Sequence, residues 1–177
     1  MLRAVNVSGQ RKLKMTELRD LCASLGHADV ETYLQSGNII LSTRVAQSKL
    51  GPSLSEAISR EFGYDDVDVL VWTASELDAL IKANPFLAKG CDPAKLHVTF
   101  LANEVARKAI EALGVDRYLP DEFAPGPKSV YVHCPNGYGR TKLNNAFFER
   151  KLDVPATTRN WQTVLNLCEL AQGKGPQ

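Results

Sequence analysis

The residues best suited to chemistry lie in two short basic segments near the carboxy-terminal end of the chain. The first, Gly137–Lys142, combines two glycines, the cations Arg140 and Lys142 and the hydroxyl of Thr141. A segment of this kind, placed ahead of a helix, can surround an anion with backbone amides and positive charge. The same residues can also form an ordinary turn after a strand, so the pattern leaves both interpretations open.

The second basic segment, Thr157–Trp161, has the composition of a helix start. Thr158 is expected to cap a helix that runs from about Thr158 to Ala171. Arg159 would then place a guanidinium beside the unpaired amides of the first turn, a combination that suits phosphate or carboxylate. The alternative is structural, with Thr158 acting only as a cap and Trp161 anchoring the helix to the core.

Charge supports a single anion-binding surface built from both ends of the chain. The formal net charge is only +1, but basic residues are concentrated in 1–19 and 126–177, and acidic residues in 20–125. If the basic ends meet in space, they would face an anionic partner. Statistical fluctuation over short windows is the alternative. The predicted ligand-binding residues are Arg3, Lys12, Arg140, Thr141, Lys142, Thr158 and Arg159.

Histidines, cysteines and carboxylates lack the spacing of a metal or catalytic site. No histidine lies four residues from another histidine, and no cysteine pair has C-x-x-C spacing. Asp65, Asp66 and Asp68 are typical of a solvated turn. We therefore predict no metal and no cofactor, and no catalytic residue can be named, which weighs against an enzyme. All four thiols are expected to be reduced, and Cys22 and Cys168 are expected to be buried because they fall on apolar helical stripes.

The elements that must position these residues follow a repeated order. The first half is predicted to be β-α-β-β-α-β, because apolar residues alternate in strands and recur every three to four residues in helices. The second half repeats β-α-β-β-α. The predicted elements of the first half are a strand Leu2–Val7, a helix bearing Leu18, Leu21, Cys22 and Leu25, a hairpin around Ser36–Asn38, a helix from Ser53 to about Phe62, and a strand Val67–Trp72.

A capping box at Thr73–Glu76 opens a linking helix that ends at Asn84 and Pro85. The second-half elements are strands at 96–101, 118–124 and 129–134, and helices from Asn103 and from about Thr141 to Leu152. The order is that of ferredoxin-like folds. The predicted fold is α+β: two ferredoxin-like halves with mainly antiparallel sheets, residues 1–84 and 95–177, joined by the linking helix.

Several classes of protein are excluded or disfavoured by the same sequence. No apolar run is long enough to span a bilayer, and the amino terminus resembles neither a signal nor a transit peptide, so we expect a cytoplasmic protein without membrane contact. RNA recognition on a sheet face needs exposed aromatic residues on the central strands, and these are absent from 2–7 and 96–101 apart from Phe100. Contact with a phosphate backbone through the basic ends stays open.

Four segments of the chain carry recognisable motifs: Leu2–Gly9 followed by Lys12 and Met15, Thr32–Ile39, Gly139–Asn145 and Ala156–Trp161. In this order they resemble the signatures of the domain-of-unknown-function 1697 family, although Ala4 and Ser8 stand where that family usually has glycine. The resemblance implies two α+β halves and a bacterial cytoplasmic protein, and supplies neither an activity nor catalytic residues. Family members usually have several residues before the position of Leu2, which leaves open either a downstream start or a shortened chain.

Three functions are compatible with these observations. The first is binding of a phosphorylated or other anionic small molecule, or of a nucleotide, through the basic loops. The second is docking of nucleic acid or of an acidic protein on a basic surface. The third is an enzyme acting on a phosphorylated substrate. A pocket would favour the first and third functions, and a flat basic face the second.

Overall fold

The computed structural model describes residues 1–6, 11–65 and 67–173. The predictions made for Ser8–Gln10, for Asp66 and for the tail 175–177 lie outside these residues. The chain divides into two compact units, Met1–Thr73 together with Glu169–Gln177, and Ala74–Cys168. The halves expected at 1–84 and 95–177 stay a prediction, and the helix expected to link them belongs to the second unit.

The first unit combines a small hairpin with two helices. Helix α1 spans Met15–Ser24, strands β1 and β2 span Ala28–Tyr33 and Asn38–Ser42, and helix α2 spans Gln47–Phe62. The two strands pair in antiparallel fashion, as the turn between them predicted. In place of the two outer strands expected in this unit, the described residues form one antiparallel bridge between Leu2 and Val69.

Helix α2 begins six residues before the predicted start at Ser53. Gly51 and Pro52 usually interrupt a helix, which is why the sequence suggested a later start. Here a Cβ on Gly51 would lie 2.8 Å from the carbonyl oxygen of Val69, so the absent side chain lets the helix pack closely on that segment. Leu54 and Ile58 then join the core of the unit.

The turn of the hairpin is packed tightly against the amino-terminal segment. Gly37 has a left-handed backbone with φ of 76°. The amide of Leu2 donates a hydrogen bond of 2.8 Å to the carbonyl oxygen of Gly37. A Cβ at position 37 would lie 2.5 Å from Cγ2 of Val5 and 2.9 Å from Cβ of Leu2, both of which are buried. Both the backbone and the packing therefore require glycine.

The second unit is built on a four-stranded antiparallel sheet. The strands lie in the order β4-β5-β3-β6, and every neighbouring pair is antiparallel. Three short 3-10 helices span Pro93–Lys95, Val115–Tyr118 and Tyr138–Arg140. The strands are β3 Leu96–Leu101, β4 Glu122–Gly126, β5 Ser129–His133 and β6 Ala156–Asn160, and the helices are α3 Ala74–Lys82, α4 Pro85–Ala88, α5 Arg107–Glu111, α6 Asn145–Leu152 and α7 Trp161–Ala171. The last three residues of α7, 169–171, belong to the first unit.

Strand β6 is the main departure from the predicted elements. The helix expected from about Thr158 begins at Trp161, and the preceding residues form an edge strand along β3. Asn160, not Thr158, caps this helix: its Oδ1 accepts a hydrogen bond of 2.8 Å from the amide of Thr163. Threonine is common both at helix caps and in strands, so its presence did not distinguish the two.

The helix expected from about Thr141 also begins later, at Asn145. Asn144 is its cap, because Oδ1 of Asn144 accepts a hydrogen bond of 3.0 Å from the amide of Phe147. The basic segment 137–142 is therefore separated from the first turn of α6. Its backbone amides are not the free amides of a helix start.

Two of the predicted site residues, Thr158 and Arg159, are neighbours on strand β6 and so lie on opposite faces of the sheet. Leu101 and Ala156 are register partners and belong to the same buried cluster, which also receives side chains from α6. Successive strand residues point to opposite faces. Thr158 therefore shares the face of Ala156, and Arg159 lies on the opposite face of the sheet.

The fold is mixed α and β with antiparallel sheets. Cys22 and Cys168 are buried, as predicted, and none of the four cysteines, all of them among the described residues, forms a disulfide bond. Burial raises the pKa of Cys22 to about 11. Across the described residues, no helix has the length and apolar character needed to cross a bilayer. The cytoplasmic location expected from the sequence stays a prediction.

Candidate functional site

The basic segment that follows β5 presents its cations outward where the 3-10 helix Tyr138–Arg140 gives way to an extended residue, Thr141. Arg140 and Lys142 are exposed, whereas Thr141 and Leu143 between and after them are buried. This alternation follows from the extended conformation at Thr141, with φ of −75° and ψ of 148°. The residues that face the core anchor the loop, and the two cations lie together on its outer side.

Thr141 holds this loop in place through its side chain. Its Oγ1 accepts a hydrogen bond of 3.0 Å from the amide of Leu143. It also hydrogen-bonds to the thiol of Cys134, which works against the larger effect of burial on the pKa of that thiol. The hydroxyl is thus engaged within the protein, and its predicted role in binding a ligand stays a prediction.

A cleft of about 320 Å³ opens beside the two exposed cations. It brings three cations and one carboxylate together with an apolar wall. We call it the first cleft. Its lining residues are Arg117, Tyr118, Leu119, Pro120, Asp121, Asn136, Arg140 and Lys142.

A second cleft of about 490 Å³ follows the exposed side of α6. It contains three cations and no carboxylate among its lining residues. Because Tyr118 and Lys142 line both clefts, the two adjoin, and together we call them the basic double cleft. The residues of the second cleft are Tyr118, Thr141, Lys142, Asn144, Ala146, Phe147, Arg150 and Lys151.

The loop between α5 and β4 supplies two residues that sequence reasoning did not identify, Arg117 and Tyr118. Tyr118 packs edge-on against Phe123 and Phe147, with ring centroids 6.2 and 5.1 Å apart, so the aromatic cluster holds it at the junction of the clefts. Gly114 has φ of 71°, and a Cβ there would lie 3.3 Å from Nε of Arg117. Glycine therefore leaves room for the Arg117 side chain.

No local pattern could have identified Arg117, Arg150 or Lys151. Arg117 has no other basic residue close to it in the sequence, and no glycine-rich motif surrounds it. Arg150 and Lys151 lie in the last turn of α6, where cations commonly occur because they interact favourably with the helix dipole. Their only sequence signal was the excess of basic residues after position 126.

The structure does not bring Arg159 or Thr158 into the basic double cleft. Arg159 is 8% exposed, and its Nη1 donates hydrogen bonds to Oγ1 of Thr157 at 2.7 Å and to the carbonyl of Thr158 at 2.9 Å. Burial lowers the pKa of Arg159 to about 10, so the guanidinium still carries its charge at neutral pH. Oγ1 of Thr158 lies 2.8 Å from Oγ1 of Thr99.

Arg3 and Lys12, the two remaining predicted residues, belong to the first unit. Nη1 of Arg3 forms an ion pair with Oδ2 of Asp68 at 3.2 Å. Lys12 is exposed, and its carbonyl oxygen accepts a hydrogen bond of 2.9 Å from the hydroxyl of Tyr64. Binding by Arg3, Lys12, Thr158 and Arg159 stays a prediction.

Nucleophilic groups near the sheet are not activated. Burial raises the pKa of the Cys134 thiol to about 11, so the thiol is protonated at neutral pH. His97 stacks on Tyr138 with ring centroids 4.5 Å apart, and burial lowers its pKa, which keeps it neutral. Within the described parts of the chain, no cluster of three or more His, Cys, Asp or Glu side chains is arranged to hold a metal ion.

Comparison with known proteins places the chain in a family. The profile described as "Protein of unknown function (DUF1697)" matches residues 1–131. The chain belongs to the DUF1697 family. The matched span includes Arg117 and Tyr118 and ends before the loop that carries Arg140 and Lys142.

A solved structure shares the fold of this DUF1697 protein. It is that of the conserved bacterial protein SP0830 from Streptococcus pneumoniae, which is 20% identical. The similarity covers 97% of this chain and 96% of that chain, with a TM-score of 0.75. No curated protein matches the chain.

Proposed function

We propose that this DUF1697 protein binds a phosphorylated or otherwise anionic small molecule, or a nucleotide, in the basic double cleft. The observation that carries the proposal is the convergence of five cations on adjoining concave surfaces. Asp121 is the single carboxylate among the described residues that line them. The cations are Arg117, Arg140, Lys142, Arg150 and Lys151.

These five charges are available to a ligand. None of them forms an ion pair with another described residue, whereas Arg3, Lys14, Lys82, Lys89 and Arg107 all do. Like charges that converge without partners repel one another, and an anion relieves that repulsion. A concave wall of one sign also concentrates the field and attracts anions from solution.

The geometry of the loop suits a phosphate group. Arg140 and Lys142 are two residues apart on an extended backbone, which separates their Cα atoms by roughly 6–7 Å. Both side chains can therefore reach oxygens of one phosphate. The guanidinium offers paired donors that match two phosphate oxygens, and the ammonium adds a compact charge.

The apolar wall of the first cleft favours a nucleotide over a bare phosphate. Leu119 is 63% exposed and stands beside Tyr118 and Pro120. A base or another flat apolar group could cover this wall and remove it from water. Asp121, on the same cleft, could accept hydrogen bonds from an amino or hydroxyl group of such a ligand.

We also infer that the second unit folds in the ferredoxin-like manner expected from the sequence. Support comes from its element order, β3-α5-β4-β5-α6-β6, and from its antiparallel sheet order β4-β5-β3-β6. In such an arrangement the helices cover one face of the sheet. The clefts lie on that helical side, at α6 and the loop before β4.

Calorimetric titration with inorganic phosphate and with a mononucleotide tests the proposal. Arg140→Ala should weaken mononucleotide binding by about 10-fold, within the 1–3 kcal/mol typical of a lost charge-assisted hydrogen bond. Lys108→Ala is the matched control, since Lys108 is an exposed cation on α5 outside both clefts. Absence of binding to the wild type at millimolar ligand, or equal losses in the two variants, would refute the proposal.

A further inference from the structure

The two clefts adjoin at a residue that can stack. Tyr118 lines both, and its ring is held edge-on by Phe123 and Phe147. Lys142 also lines both clefts and stands beside Tyr118 at their junction. A ligand that occupies both clefts must therefore pass an aromatic ring and a cation.

The second cleft is longer than a single phosphate. It follows α6 from the cap Asn144 to Lys151, seven residues that rise about 10 Å along the helix axis. A stacked single strand advances roughly 3.4 Å per nucleotide. The second cleft thus has the length of about three nucleotides, in addition to the nucleotide accommodated by the first cleft.

Apolar and cationic residues are interleaved along this path. In the first cleft the cation Arg117 lies beside the apolar residues Tyr118, Leu119 and Pro120. In the second cleft the cations Arg150 and Lys151 lie beside Ala146 and Phe147. A polyphosphate would need only the cations. An alternation of apolar surface and positive charge matches a chain that carries bases and phosphates in turn, which is how single strands are bound without sequence preference.

The sheet itself cannot provide this surface. On one face of the central strand β3, Leu96, Val98 and Phe100 are all 0% exposed. On the other face Thr99 and Leu101 are 0% exposed, and the half-buried ring of His97 is already stacked on Tyr138, so neither face of this strand is open to stack a base. Recognition by the sheet face, the usual mode of RNA-binding ferredoxin-like domains, is closed in this unit. The basic double cleft lies away from the sheet, on the helical side.

We propose that the basic double cleft binds single-stranded nucleic acid, with one nucleotide in the first cleft and the following phosphates along α6. This inference rests on the proposed function, because it places a nucleotide phosphate at Arg140 and Lys142. It adds a specific role for Arg150 and Lys151, which would bind the phosphates beyond the first nucleotide.

The test compares ligands of increasing length on the intact chain. Fluorescence anisotropy with labelled tetra- and octathymidylate, and calorimetry with thymidine monophosphate, measure the gain in affinity with length. We expect at least about a tenfold gain from the mononucleotide to the tetranucleotide. The double variant Arg150→Ala/Lys151→Ala should abolish this gain, whereas the control Lys108→Ala should preserve it.

Salt dependence gives an independent readout. Each phosphate neutralised in a single strand contributes about 0.7 to the slope of log affinity against log salt. The double variant should therefore reduce that slope by about 1.4, and the control Lys108→Ala should leave it unchanged. Thermal melting of both variants checks that these exposed substitutions leave the fold intact.

The outcomes separate this inference from the proposed function. Mononucleotide binding without a gain for the longer ligands would overturn the single-strand assignment and leave the proposed function standing. Duplex DNA that competes as well as the single strand would also overturn it. If neither the mononucleotide nor the oligonucleotides bind, both proposals fail.

Discussion

Replacement of Gly37 by alanine should be one of the most damaging small substitutions in the first unit. The added Cβ would lie 2.5 Å from Cγ2 of Val5 and 2.9 Å from Cβ of Leu2, whereas carbon atoms in contact are ordinarily about 3.5–4.0 Å apart. Val5 and Leu2 are each 1% exposed, so neither can move into solvent. The clash must instead displace the amino-terminal segment.

Two contributions set the size of the effect. Alanine at a φ of 76° costs roughly 1 kcal/mol, because its Cβ approaches the following carbonyl oxygen in the left-handed region. Overpacking of a closed core adds about 1–3 kcal/mol. We therefore expect Gly37→Ala to lower the free energy of unfolding by about 2–4 kcal/mol.

Urea denaturation followed by circular dichroism measures this loss of stability. The control variant Gly63→Ala separates the cost of backbone strain from the cost of overpacking. Gly63 lies in the same unit with φ of 67°, and a Cβ there meets no atom within 4 Å. Its replacement should cost only the backbone strain of about 1 kcal/mol. Equal losses at the two positions would show that the amino-terminal segment yields without cost, and the packing argument would be wrong.

Two further predictions concern buried groups. Burial raises the pKa of Cys22 and Cys134 to about 11 from an ordinary 9.0, so the folded protein keeps protons that the unfolded chain releases. The free energy of unfolding should therefore fall between about pH 9 and pH 11. If the urea midpoint of the double variant Cys22→Ala/Cys134→Ala fell as steeply over this range as that of the wild type, the prediction would be contradicted. Arg159→Ala should destabilise the protein by about 2–4 kcal/mol in urea while mononucleotide affinity stays within about twofold. If Arg159→Ala instead lost mononucleotide affinity while its free energy of unfolding stayed unchanged, Arg159 would belong to the binding site.

The sequence predicted those elements whose signal is local. The apolar run Leu96–Leu101 and the turn between β1 and β2 determine their structure through residues that lie side by side in the chain. Thr157 and Thr158 carried no such signal, since β-branched hydroxyl residues suit both an edge strand and a helix cap. Only the backbone of β3, which pairs with Ala156–Asn160, decides between them.

The candidate site divides in the same way. Arg140 and Lys142 were predicted because glycines and cations are adjacent in one segment. Arg117 reaches them only because Tyr118 packs on Phe147 and so brings the loop before β4 to the start of α6. That contact joins residues about thirty positions apart, which no spacing rule along the chain expresses.

In the loop from Arg140 to Asn144, buried residues that attach the loop to the core alternate with exposed residues that contact solvent. Thr141 and Leu143 secure the backbone, whereas Arg140 and Lys142 are exposed to solvent. Substitutions that change ligand preference at this loop should therefore have little effect on stability, because the positions that would contact the ligand are not those that pack against the core. A variant library confined to positions 140 and 142 would vary ligand preference in a set of proteins that all remain folded.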